Sequence, residues 1–510
     1  MIPLDQWRVL LGQENVLTDE AIDPYLVNCL SISRRVLAVV RPCTESEVQR
    51  VVEIAASFKI RFYAVSTGHN WGYGTAMPVE NDCVLVDLSR MNRILEIDQE
   101  LGLISLEPGV TQGQLSEYFL SVGADFFVPT TGAGPSASLI GNALERGWGI
   151  TPEEDHFGAV RSLRAVLPDG SLYRSSLASM GMPMAAAGWK WGVGPYLDGL
   201  FSQSNFGIVT SMTLALRRRP QHIEVYIFTL KDERQFCDLM SHCRDLLRDL
   251  HGIAGGMKFM NQAQYRLTLD TSELGLGLSN EFSWLGFGVL HCRKSMVSAT
   301  RAAVRRALKP HLSQLIFLNE GRVKRFEALA RLVPGAPGKK MARQAKQARD
   351  VLHIVRGEPR GLELRLVYRH VPVPPDGPRD PVKEGVGIIW YAPIIPLKPN
   401  LISKMVVTIQ SVLRQYDMPE AISLTTVNDR CAMGVIPILY QRPAGKDAAH
   451  SCFRDLWRRG SDLGCFPYRI NVAAMDDLVA SGDPSYWQFI RTLKKSVDPD
   501  GLFAPGRYGK

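Results

Sequence analysis

Ten residues of this chain, Val65-Ser-Thr-Gly-His-Asn-Trp-Gly-Tyr-Gly74, set a single histidine among Gly68, Gly72 and Gly74. Glycines at that density let backbone N–H groups converge on one point and approach a phosphate closely, where side chains would stand in the way. The stretch matches neither G-x-G-x-x-G nor G-x-x-x-x-G-K-S/T, so the common nucleotide fingerprints do not apply. A histidine inside a phosphate cradle points to a cofactor whose reactive ring lies nearby; the bland alternative is a plain turn. A second small-residue loop, Thr130-Thr-Gly-Ala-Gly-Pro-Ser-Ala-Ser-Leu-Ile-Gly-Asn142, requires close approach by another backbone or a flat ligand.

These loops need elements to hold them. Arg35-Val-Leu-Ala-Val-Val-Arg41 reads as a strand. After Pro42, Thr44-Glu-Ser-Glu47 has the form of a capping box, with Val48, Val51, Val52, Ile54 and Ala55 following at helical spacing. Arg61-Phe-Tyr-Ala-Val65 is the strand that delivers the glycine loop, and Val84–Asp87 and Leu103–Glu107 are further strands. Gln112–Leu120 reads as a helix, and Pro168-Asp-Gly170 as a turn between two strands. Leu216-Arg-Arg-Arg-Pro220 marks a domain boundary. Beyond it, strands (Ile223–Thr229, Ser283–Leu290, Val386–Trp390) alternate with helices (Glu233–Leu250, Met296–Lys309), which describes a separate α+β module. Residues 372–381 are proline-rich and expected to form an exposed connection. The tail, Val497-Asp-Pro-Asp-Gly-Leu-Phe-Ala-Pro-Gly506, carries Leu502 and Phe503 and should dock on the body.

Composition bounds the partners. With 510 residues the chain is long enough for two or three domains, and 45% apolar with 22% charged residues is ordinary for a globular protein. The net charge of +8 is mild and suits an anionic cofactor or substrate. Lys339–Arg349, the densest basic run, has helical spacing and few aromatics, so it reads as a solvated helix face and no nucleic-acid partner is expected. Nine cysteines without a C-x-x-C pair or a Cys/His cluster imply reduced thiols, no metal and a cytoplasmic location. No signal peptide and no apolar run of about 18 residues are visible, so no membrane partner is expected either.

The pieces together resemble the vanillyl-alcohol oxidase/p-cresol methylhydroxylase family of FAD enzymes over roughly residues 35 to 507. The carrying motifs are Ser66–Gly74, Gly141-Asn-Ala-Leu-Glu-Arg-Gly147 with Asp155-His156, Leu197–Thr210, Pro467-Tyr-Arg469 with Met475-Asp476, and Asp498–Gly506. The resemblance implies an α+β, two-domain flavoprotein. An FAD-binding domain of the p-cresol methylhydroxylase type would be made of both chain ends (1–218 and 472–510), with an inserted α+β substrate-binding cap (219–471).

It also implies roles. Ser66, Thr67, Gly68, His69 and Asn70 would cradle the pyrophosphate. Thr131, Gly132, Ser138 and Asn142 would line the isoalloxazine and phosphates. Ile208 would present backbone near the adenine or ribose, and Arg507 would join the cofactor-binding set. His69 would carry a covalent bond to the flavin 8α-methyl carbon, since Gly385–Ile389 offers no linker from the cap; the alternative is a histidine donating to a phosphate.

Tyr73, Tyr468 and Arg469 match the residues that bind the phenolate oxygen of a para-substituted phenol. From the phenolate a hydride would leave the benzylic carbon for flavin N5, giving a p-quinone methide. Glu145 would act as base toward water or tune N5, against the plainer reading of an ion pair with Arg146 or another nearby cation; His156 would be a structural hydrogen-bonder. Electrons would pass on to O2 or a redox protein, and a homodimer is allowed. One departure is plain: where close members carry adjacent histidines and a carboxylate in the cap, this chain has Arg430-Cys-Ala-Met-Gly434 and Leu424-Thr-Thr426. That less polar wall favours a rival, oxidation of a non-phenolic alcohol, amine or heterocycle, which the Tyr73/Tyr468/Arg469 trio opposes.

Overall fold

The computed structural model describes residues 2–149, 151–152, 154–268, 278, 281–374 and 379–509. Part of the proline-rich connection expected at 372–381, namely 375–378, lies outside the described residues. The chain divides into two compact units: Met1–Gly149, Asp155–Arg217 and Arg469–Lys510 form the first, and Ile150–Glu154 with Arg218–Tyr468 the second. By packing, Arg469 therefore goes with the first unit, three residues ahead of the return expected at 472.

The first unit holds two sheets. In the smaller, Val16–Leu17, Val36–Val40, Cys83–Asp87 and Arg61–Val65 lie in that order, and Cys83–Asp87 runs parallel to both of its neighbours. The fully apolar run Val36-Leu-Ala-Val-Val40 suits a strand covered on both faces. Helix Glu45–Ser57 covers one side by burying Val48, Val51, Val52, Ile54 and Ala55, every apolar position its periodicity selects. Its start departs slightly from a capping box. The Thr44 hydroxyl accepts from the Glu47 N–H as expected, but the Glu47 carboxylate reaches back to the Cys43 N–H at 2.7 Å. The second sheet, in the order Ile94–Asp98, Leu103–Leu106, Ile208–Ala215, Val160–Val166 and Leu172–Arg174, is antiparallel throughout, with the Asp169-Gly170 turn joining its last two strands.

The C-terminal tail closes the first core. Phe503 bridges to Phe62 in parallel register, their rings 5.2 Å apart, and Phe62 exchanges backbone hydrogen bonds with Leu502 and Ala504. The Lys494 ammonium, buried behind it, donates to the carbonyls of Asn205 and Phe503 and pairs with Asp498 at 2.6 Å. Docking of Leu502 and Phe503 thus has its reason: two large apolar side chains removed from water are worth roughly 2 kcal/mol each.

The second unit is built on a nine-stranded antiparallel sheet. Its path runs Gln314–Leu318, His222–Leu230, Trp284–Cys292, Lys258–Asn261, Ser423–Thr426, Cys431–Gln441, Pro393–Pro396 and Phe466–Pro467, with Val386–Tyr391 also paired to Cys431–Gln441. The helices expected at 233–250 and 296–309 span Gln235–Asp249 and Val297–Leu308. The basic run at 339–349 falls within helix Gly335–Val355, whose buried positions are Gly338, Ala345, Ala348, Leu352 and Val355. Among the described residues no helix is long and apolar enough to cross a membrane.

Candidate active site

The two glycine-rich loops meet. The His69 imidazole bonds through Nδ1 to the carbonyl of Ser136 at 3.1 Å and stacks on Trp71 at 5.0 Å. A carbonyl can only accept, so Nδ1 is the donor in this bond. Closer to the turn of the second loop, a Cβ on Gly141 would stand 2.3 Å from the Ser66 hydroxyl oxygen. Glycine is required there because the loops touch. Gly68 and Gly72 adopt left-handed φ values of 68° and 75°, a conformation that L side chains avoid.

The residues expected in the second loop make bonds within the protein. Ser138 caps the short helix Leu139–Leu144, accepting from the Gly141 N–H at 2.9 Å and donating to the Pro108 carbonyl at 2.6 Å. Thr131 is clamped by Gln112, which donates to its hydroxyl at 2.9 Å and accepts from its N–H at 3.1 Å. The Asn142 amide donates to Nδ1 of His156. Burial pushes the His156 ring down to a pKa of about 4, so it is neutral at physiological pH and acts as an acceptor, the structural role expected of it. Ile208 opens its strand as a buried core residue opposite Val166.

Arg469 is the centre of a cationic cluster. Its guanidinium lies over the Tyr73 ring, 4.4 Å from the centroid, and donates to the Asn70 side chain at 2.7 Å. Nε faces the Glu145 carboxylate at 3.3 Å. Glu145, 8% exposed, is also ion-paired to Arg507, and the Tyr508 hydroxyl lies 3.3 Å from its Oε2. Arg507 donates in turn to the Tyr63 hydroxyl. Burial raises the Tyr508 pKa, with Arg507 and Arg469 pulling the other way. Glu145 thus sits between the guanidiniums of Arg469 and Arg507, other cations than the Arg146 named in the plainer expectation, whose Nε donates to the Ser202 hydroxyl at 3.2 Å. Gly74 lets the segment behind Arg469 come close: φ is 138°, and a Cβ would meet Val472 at 2.6 Å. Tyr468 belongs to the second unit, where its N–H donates to the Ala392 carbonyl at 3.1 Å.

Comparison with known proteins decides the family. Residues 36–176 match the FAD binding domain model. Over 528 residues the chain is 30% identical to the 1'-carboxy-chondrochloren decarboxylase of Chondromyces crocatus, covering 99% of this chain and 96% of that protein. It is 28% identical to the 4-cresol dehydrogenase (hydroxylating) flavoprotein subunit of Pseudomonas putida, over 99% of this chain and 95% of that one. The chain belongs to the vanillyl-alcohol oxidase/p-cresol methylhydroxylase family. It is an FAD-dependent oxidoreductase with the family's two-domain fold. A structure of p-cresol methylhydroxylase with substrate bound superposes with a TM-score of 0.84 at 26% identity, covering 99% of this chain and 96% of that one. The 4-ethylphenol oxidase of Gulosibacter chungangensis gives 0.85 at 21%, with the same coverage.

The residues present fit FAD. Loops 66–74 and 130–142 are held together by the His69–Ser136 bond, and where they touch, a Cβ on Gly141 would strike the Ser66 hydroxyl. Among the described residues no group of three or more His, Cys, Asp or Glu side chains could hold a metal. Sequence reasoning missed Tyr63 and Tyr508. Tyr508 adjoins Arg507 and Tyr63 lies on the strand that delivers the glycine loop, yet nothing in their spacing shows that Tyr63 accepts from Arg507 and Tyr508 faces Glu145.

Proposed function

We propose that this enzyme oxidises a para-substituted phenol, removing a hydride from the benzylic carbon and passing through a p-quinone methide. FAD, when bound, supplies the hydride acceptor at N5. The observation that carries the reading is Arg469, aimed by Asn70 and Glu145 and backed by the Tyr73 ring. A guanidinium fixed in this way favours the phenolate over the phenol, and the phenolate pushes electrons toward the para carbon. Tyr73 and Tyr468 complete the oxyanion site in this reading, with Glu145 a positioning residue for Arg469. The first unit is the FAD domain and the second the substrate-binding cap.

Flavin attachment runs through His69. The placement of His69 in the glycine-rich loop, with its ring held by the Ser136 carbonyl and Trp71, supports attachment there. Acid precipitation tests this: yellow colour in the pellet supports the bond, and yellow released to the supernatant refutes it.

Anaerobic mixing with 4-alkylphenols, 4-hydroxybenzyl alcohols and their O-methyl ethers tests the reaction. Bleaching by free phenols alone supports the phenolate mechanism; no bleaching by any phenol hands the site to the non-phenolic rival. Admitting air shows whether O2 or a redox protein is the acceptor. The Chondromyces crocatus relative is named a decarboxylase, which favours a second outcome of the same oxidation. With a carboxylate on the carbon next to the benzylic one, the quinone methide would collapse by losing CO2, and CO2 release in the same assay separates the two.

A further inference from the structure

One excursion of the first unit is apolar on its outside. It runs from the end of strand Leu172–Arg174 to the buried Asp198, and in it Met180, Met182, Met184, Trp189, Trp191 and Val193 are between 51% and 72% exposed. Along the rest of the chain, exposed large apolar side chains stand singly or in pairs, as Leu329 with Leu332 and Tyr486 with Phe489. The only charged side chain from Ser176 to Leu197 is Lys190. Its ammonium is tied down, donating to the Gly158 carbonyl at 2.9 Å and lying 4.8 Å from the centre of the Trp191 ring.

The excursion is held in shape. Asp198 accepts from the Tyr173 hydroxyl at 2.6 Å and from the Ser175 hydroxyl at 2.7 Å, which fastens its two ends together. Within it, the Ser176 hydroxyl accepts from the Val193 N–H at 3.2 Å and donates to the Val193 carbonyl at 3.0 Å. The Trp189 indole donates to the Gly192 carbonyl at 3.2 Å, and Trp191 meets Tyr196 edge-on at 5.1 Å. Ala186 is the buried anchor of its helix Pro183–Gly188. A surface ordered in advance gives up little freedom on binding.

The exposed parts of the six residues come to roughly 700 Å², above the roughly 300–600 Å² of the largest patch on an ordinary monomer and near the roughly 800 Å² each partner covers in a stable interface. Pro183 and Ala185, exposed between them, extend it. Charge then selects the occupant. A different protein is steered and chosen by complementary charge, and an anionic lipid surface by outward lysines and arginines; the excursion offers neither. A second copy of the chain requires neither, because an uncharged apolar surface meets itself across a two-fold axis without like-charge repulsion.

We propose that Ser176–Leu197 is the contact through which two copies of this chain pair, excursion against excursion. The contact is built from the first unit alone and is independent of the substrate.

The test is sedimentation of the flavin-loaded, full-length protein. The unaltered chain should be a dimer at about 10 µM. Met184→Glu combined with Val193→Glu, both at exposed positions, should raise the dissociation constant about 100-fold or more, because each copy then presents like charges to the other, with the flavin spectrum unchanged. Should the double variant fail to load flavin, Trp189→Ser is the milder change, expected to weaken pairing about 10-fold. An unaltered protein that stays monomeric overturns the proposal, and so does a flavin-loaded variant that pairs as tightly as the unaltered chain. Vesicles of phosphatidylglycerol that bind the monomer through this segment overturn it too, giving the surface to a lipid instead.

Discussion

Arg469 is held by three different interactions, and each removes a degree of freedom: a ring beneath, an amide at one nitrogen and a carboxylate at another. Arg469→Ala should lower phenol turnover by about two to three orders of magnitude, the range for deleting a charge-stabilising donor, while flavin stays bound. Turnover within a factor of about three of the unaltered enzyme would remove Arg469 from the site. His156 makes a second prediction at this scale. Its folded pKa of about 4 lies below the ordinary value of 6.5, so between those limits the unfolded chain binds the extra proton. The stability this ring permits is complete above pH 6.5 and falls as pH drops toward 4, by about 3 kcal/mol in all. His156→Gln should flatten the acid limb of a denaturation series across that window; an unchanged limb would mean another group governs it. The glycine-rich loop that carries His69 and Tyr73 was legible in the sequence because it combines rare residue types in a fixed order. The clamp of Arg507 and Tyr508 on Glu145 was not, because it joins positions 363 residues apart in the chain.

At the scale of elements, the loops depend on contacts that glycine alone permits. Gly141→Ala sets two effects against each other: alanine favours the helix Leu139–Leu144 by about 1 kcal/mol, but its Cβ would stand 2.3 Å from the Ser66 oxygen. The hydroxyl is the easier group to move, so the fold should survive while flavin content per chain falls. Full flavin content in that variant would show that the Ser66 hydroxyl takes no part in the cradle. Strands and helices with clean periodicity, such as Glu45–Ser57 and Val36–Val40, were readable because burial follows the pattern. Strand Val16–Leu17 was not, since two residues carry no period and pair only through Val39 and Val40. Ser138 illustrates the other limit: its residue type suits a ligand donor and a helix cap alike, and only the helix start at Leu139 shows that it caps.

For the whole molecule, the decisive fact is that the first unit is assembled from both ends of the chain. Leu502 and Phe503 complete a core begun by Phe62, and Arg507 and Tyr508 complete the cluster around Glu145. Removing residues 499–510 should lower the calorimetric transition of the first unit and leave the protein without flavin. A truncated chain that stays yellow and melts unchanged would contradict the closing role of the tail. The resemblance implied this interrupted plan, but the exchange of Arg469 to the first unit depends on packing that no linear motif records.

The same plan sets an order of events during biosynthesis. A ribosome releases the first 217 residues and then the rest of the second unit before Phe503 emerges, so the core beside the cofactor cradle closes only after the second unit has been made. Loading with flavin in this sense reports that the segment carrying Leu502 and Phe503 has been made. Nascent chains arrested short of residue 502 should carry none, and premature-stop products reach the cell as apoprotein.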